Sequence, residues 1–328
     1  MNTMKWLVKR EFWEHKGGFF WAPVWIGAIM TLFLGVTIAI AVAVGNKHIV
    51  TTNGMSVTTT TNLSHELTPD QQQQVVTGLA NGYMGMSAPL FMVLGIVVFF
   101  FCLGALFDDR KDRSVLFWKS LPISDSATVL SKVAIVLVVA PLITLVIATA
   151  TSVLSLLFIC IGATASGLHG FGQVFANPNL YLAPFQIAAM LPVYALWALP
   201  TVGWLMMVSA WARTKPFLWA VGAPVLTGTL LSWFNAMFGF GWNIGWFWHH
   251  IVGRGLLSMF PWTWLAAHPS DIGHVGISDN QDFHTVDMGS LLTHSWQMLA
   301  TMDLWIGVAA GAAMIYATIR LRRWRDEG

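Results

Sequence analysis

The chain has 328 residues, of which 56% are hydrophobic and only 10% charged, whereas soluble globular domains carry about 25% charged residues. That excludes a soluble protein with a single anchor and predicts a polytopic membrane protein. The formal net charge of +2 says nothing of nucleic acid, because its distribution reports orientation instead.

Fifteen of the seventeen Lys and Arg residues fall into four clusters: Lys5–Lys16, Arg110–Lys132, Arg213–Lys215 and Arg320–Arg325. Only Lys47 and Arg254 lie in the alternate loops. Cytoplasmic loops carry the excess of Lys and Arg, so the pattern predicts six crossings with both termini in the cytoplasm. On that topology the inside holds fifteen cations and eight acids, net +7, and the outside two cations and seven acids, net −5.

In chain order, residues 1–16 come first. Met4, Leu7, Val8 and Phe12 share a helical face, Lys5, Lys9 and Lys16 cluster on another, and Trp6 and Trp13 form a second apolar line. Glu11 intrudes on the apolar face. The pattern predicts an interfacial helix on the inner leaflet, with Gly17–Gly18 supplying the bend into the first span. A bilayer core takes about 20 apolar residues in a helix, and the expected spans are Phe19–Val44, Ala88–Phe107, Val133–Ile161, Phe185–Ala212, Phe217–Phe240 and Leu304–Ile319. The first is longer than the roughly 7–15 residues of a signal-peptide apolar core and is expected to be retained. Residues 291–301 are an expected outward extension of the last span.

Residues 45–87 are an expected outer loop, read as either a small hairpin or a disordered loop from their turn chemistry and β-branched content. Residues 241–301 open with Trp242, Trp246, Phe247 and Trp248 and later turn polar. A seventh span would break the even parity that the basic C-terminus requires, so the aromatic half is expected to form re-entrant or interfacial outer helices. The fold class is therefore an all-α membrane protein, a single transmembrane domain over residues 1–328. Cys102 and Cys160 fall at different depths, which argues against a disulfide.

The cytoplasmic segment at 108–126 reads as an acidic-basic loop, an N-cap at Ser114, a short helix, a stop at Pro122, and Ser124 or Asp125 capping the third span. Val115, Trp118 and Leu121 fall near one face, with Phe117 beside them. Bulky apolar residues between charges on a cytoplasmic helix suit docking to another protein or anchoring on lipid.

This segment resembles the cytoplasmic signature of type-2 ABC-transporter permeases, the membrane subunits of bacterial exporters. Ser114, Leu121-Pro122-Ile123-Ser124 and Lys132 match that signature, and Lys9-Arg10-Glu11 matches the family's basic N-terminal helix. Leu116 stands where the family commonly has Glu. The resemblance implies that Ser114, Val115, Phe117, Trp118, Leu121 and Pro122 form a coupling helix. It also implies a dimer with a second copy of the chain, two separate ABC ATPase subunits carrying ATP and Mg, and a bacterial inner membrane. The chain itself has no Gly-x-x-x-x-Gly-Lys-Ser/Thr phosphate loop, so no cofactor is expected on it.

The six core stretches hold no Asp, Glu, Lys, Arg or His, which argues against a proton relay. Gly307 and Gly311 permit close helix approach, expected within the subunit. Thr227, Thr229 and Ser232 are candidates to line a translocation path, although such hydroxyls commonly bond to their own helix backbone. Nine of the ten histidines fall outside, without a metal-ligand spacing. Two rival readings stand beside an exporter subunit: a non-transporting, ATP-driven relay to a periplasmic partner, and a membrane enzyme with an outer metal site.

Overall fold

The computed structural model describes residues 3–45, 48–52, 55–59, 69–111, 124–166, 171–265, 277–280, 283–286 and 288–325. Six of its helices are long and apolar enough to cross a membrane: Gly17–Val44, Gln73–Lys111, Asp125–Ala165, Pro178–Trp211, Leu218–Phe238 and Met302–Trp324. The protein is an all-α, multi-pass membrane protein. Its only strands among the described residues are two short antiparallel hairpins, His48–Thr52 with Met55–Thr59 and Ile277–Asn280 with Phe283–Val286. Of the two readings of the first outer loop, a hairpin is what forms at its start.

The sixth span packs along the fourth, and the first along the third. Glycine sets the first of these contacts. A Cβ on Gly311 would sit 2.7 Å from the Leu199 carbonyl carbon, and one on Gly203 would sit 2.7 Å from the Gly311 oxygen. The two backbones therefore touch, as small residues allow in membrane helices, and this contact lies within the subunit as expected.

The fourth span carries Pro184, Pro192 and Pro200 inside its helix. Each proline removes a donor and frees the carbonyl four residues earlier. For Pro184 that carbonyl belongs to Leu180, and the Tyr83 hydroxyl donates to it at 2.7 Å.

Two expectations change. Residues 69–82, placed in the outer loop, form a helix. Pro69 and Asp70 suit its first turn, and Val76 and Ala80 are buried beneath it, an apolar stripe that its four glutamines mask in the sequence. Residues 291–301 do not extend the sixth span. A separate helix, Met288–Gln297, is followed by a 3-10 turn, and extended backbone at Thr301 breaks the path to Met302.

The fifth span ends at Gly239, whose left-handed φ of +65° suits a residue without a Cβ. Asn235 donates to the Trp242 carbonyl and accepts from the Trp242 N–H, which closes a reversal. Residues 244–257 then run back inward as consecutive helical turns against the fifth span, with Trp248 Nε1 donating to Ser232 at 3.0 Å. After Leu257 the path turns back again. Thr201 donates to the Arg254 carbonyl, Tyr194 to that of Met259, and Trp262 meets Phe91 near the outer end of the second span. The aromatic run, expected to be re-entrant or interfacial, thus doubles back between the fifth and fourth spans.

Candidate functional site

Two arrangements concentrate polar chemistry. The first is an ion network at the end of the bundle that carries the N-terminal helix. Glu11, on the N-terminal helix Thr3–Glu14, lies 3.0 Å from Lys132 on the third span, and Lys132 lies 3.4 Å from Asp109 at the end of the second. Arg10 holds the other Glu11 oxygen at 2.5 Å. The Glu11 and Lys132 side chains are 0% and 2% exposed, so this is a buried cluster. Glu11 is the residue that breaks the apolar face of its helix, and its partner explains why. Burial alone would raise its pKa, but Lys132 and then Arg10 outweigh it and hold the carboxyl below the ordinary value.

The network continues around the segment 112–123. Just before it, Arg110 donates to the carbonyls of Ser209 and Ala212 at the inner end of the fourth span, at 2.5 and 2.9 Å. Ser209 in turn accepts from the N–H groups of Leu106 and Phe107. Just after it, Ser124 caps the third span by accepting from Ala127. Asp125 lies 3.2 Å from Arg322 of the sixth span, as an ion pair without hydrogen-bond alignment. Both flanks of the segment are thus tied to the N-terminal helix and to the third, fourth and sixth spans. Ser114, Val115, Phe117, Trp118, Leu121 and Pro122 themselves lie outside the described residues. Glu11, Glu14 and His15 bring one ligand atom each within 4.8 Å of one another, but Glu11 already holds a cation on each of its oxygens, Arg10 and Lys132.

The second arrangement is a cavity of about 440 Å³ between the fourth and sixth spans and the re-entrant segment. Trp204, Trp246, His250, Arg254, Asp303 and Ile306 line it. The Arg254 guanidinium stacks on Trp197 at 4.4 Å and lies against Gly307, where a Cβ would overlap it. The charge pattern assigns Arg254 to an outer loop; the structure places it on the doubled-back segment, against Gly307 of the sixth span. Gly307 is thirteen residues outward of Arg320, about 20 Å at the helical rise of a core about 30 Å thick. The sequence signal for it is a lone cation between Gly253 and Gly255 inside an aromatic run.

The path candidates lie elsewhere. Thr227, Thr229 and Ser232 donate to the carbonyls of Ala223, Val225 and Gly228 on their own helix. Thr227 and Thr229 are exposed, and none of the three lines the cavity. Cys102 and Cys160 are buried, unbridged thiols. Compared with protein-family models, curated proteins and solved structures, the chain finds no match in any of the three.

Proposed function

We propose that the protein is the membrane subunit of an ATP-driven exporter, with residues 114–122 receiving motion from a separate ABC ATPase. The observation that supports this reading is the anchoring of both flanks of that segment. Asp109 and Arg110 on one side, and Asp125 on the other, reach the third, fourth and sixth spans through buried or half-buried polar contacts, and Lys132 carries the link on to the N-terminal helix. Force applied to the segment would pass to the inner ends of those helices together. A segment serving only as a lipid anchor has no use for such a mounting.

On this reading both termini face the cytoplasm of a bacterial inner membrane, and two copies of the chain pair with two ATPase subunits that bring ATP and Mg. The first and fifth spans suit the second copy or lipid, since only 11% and 6% of their apolar windows are buried, against 61% for the second span.

Docked aromatic anchors cost about 2 kcal/mol or more when truncated, which is roughly thirtyfold in affinity. Trp118→Ala with Leu121→Ala should therefore release the ATPase or uncouple its hydrolysis from transport. Arg113→Ala, a rim charge worth about 1 kcal/mol or less, should do far less. The test purifies the full chain from its native membrane. Co-purification of a phosphate-loop ATPase that the double variant no longer retains supports the reading. ATP hydrolysis by the isolated chain, or a double variant with its partner and full transport, would overturn it.

A further inference from the structure

Arg254 presents an unusual balance of forces. Its Nε and Nη2 are buried and have no hydrogen-bond partner. Asp303 lines the same cavity, yet no carboxylate comes within 4.0 Å of the guanidinium among the described residues. The guanidinium carbon lies 4.4 Å from the Trp197 ring centre, and its Nε and Nη2, packed against Gly307, have no acceptor there. An arginine at membrane depth is costly, and buried N–H groups left unpaired add to that cost. Such a group marks a site whose partner arrives from elsewhere. A planar edge of N–H donors matches a carboxylate or phosphate, which it can grip with two parallel bonds.

The cavity says what is attached to that anion. Its lining is mainly apolar, and Trp246, Ile306 and Ala310 on its rim are exposed. At the depth of Gly307 an exposed apolar rim faces hydrocarbon, not water. A small hydrophilic anion gains nothing from that route. A molecule with an anionic head and an apolar chain gains at both ends.

We propose that Arg254 and this cavity bind an anionic amphiphile, its head group at the guanidinium and its chain leaving sideways past Trp246 and Ile306. Asp303 opposes the bound charge, so it weakens the site. Binding stands on the cavity alone; that the occupant is cargo rests on the export reading.

The test measures saturable binding of four twelve-carbon probes to the purified full chain in a neutral detergent: dodecyl phosphate, dodecanoate, dodecanol and dodecyltrimethylammonium. One buffer near pH 8 serves all four probes. Both anions should bind at least about tenfold more tightly than the alcohol and the cation. A phosphate well ahead of the carboxylate identifies a phospholipid head group, and parity identifies an acyl anion. Arg254→Gln should lose at least about tenfold in affinity for the anions, and Arg254→Lys should lose less. Asp303→Asn should bind the anions more tightly than the parent. Equal binding of alcohol and anion, or unchanged binding in Arg254→Gln, overturns the proposal. If Arg254→Gln does not fold, an Asp303→Asn variant with unchanged or weaker anion affinity overturns it. These outcomes are independent of whether an ATPase co-purifies.

Discussion

Lys132 Nζ and Glu11 Oε2 meet at 3.0 Å although 121 residues separate them in sequence, and neither side chain reaches solvent. The pair joins the N-terminal helix to the root of the third span. Both ions have lost their hydration, so each depends on the other far more than a surface pair would.

Removing one partner should therefore be severe. Glu11→Ala leaves Lys132 with only the partly exposed Asp109, and Lys132→Ala leaves Glu11 with only the partly exposed Arg10, an expected loss approaching the roughly 3–5 kcal/mol of a broken buried pair. Replacing both with apolar residues of similar volume, Glu11→Leu with Lys132→Met, should recover most of it. Thermal melting of the detergent-purified variants checks this through a double-mutant cycle. Additive losses would mean that the two residues act independently.

The same pair predicts an acid-labile inner face. The Glu11 carboxyl is held below its ordinary value in the folded protein. Its contribution is complete above the unfolded carboxylate pKa, about 4.3, and is lost as pH falls through the lower folded value. Below about pH 5 the parent should begin to lose melting temperature, while Glu11→Gln, already neutral there, should show a flatter acid limb. Parallel slopes for the two proteins would contradict the assignment.

Gly311 should tolerate no side chain. A Cβ there meets the Leu199 carbonyl carbon and oxygen at 2.7 and 2.8 Å, and both are backbone atoms. Gly311→Val should push the fourth and sixth spans apart and cost about 1–3 kcal/mol or more. Gly172→Ala, with nothing within 4 Å of its Cβ, is the control and should melt like the parent.

Orientation is open to cysteine labelling, because the native Cys102 and Cys160 are buried. Ser56→Cys and Asp279→Cys should react with an impermeant thiol reagent in intact cells, and Ser120→Cys only after the cells are opened. Reaction at Ser120→Cys in intact cells would invert the topology.

The spans were legible because uncharged apolar runs of bilayer length admit few other folds. The Ser124 cap was legible from its place after Pro122, and the Gly311 contact from its spacing. Glu11 was legible only as a conflict, a carboxylate on an apolar face, and such conflicts tend to mark special sites. The contact of Arg254 with Gly307 had no signal in the charge count, because that count assigns a side of the membrane and not a depth. The helix at 69–82 was hidden because its buried stripe of Val76 and Ala80 is short beside its run of glutamines. The break at Thr301 carries no Gly or Pro to announce it.

The hydroxyl of Tyr83 and the ring of Pro184 form a matched pair of defects. Pro184 leaves the Leu180 carbonyl without its helical donor, and Tyr83 has a buried hydroxyl that needs an acceptor. Each residue taken alone is a flaw, and together they cancel. Tyr83→Phe would strand a carbonyl, at a cost of about 1–3 kcal/mol. Replacing Pro184 by alanine restores the helical donor that this carbonyl lacks. The fitness of either position is therefore conditional on the other: the phenylalanine that harms the parent should be nearly harmless in a chain that has already lost the proline.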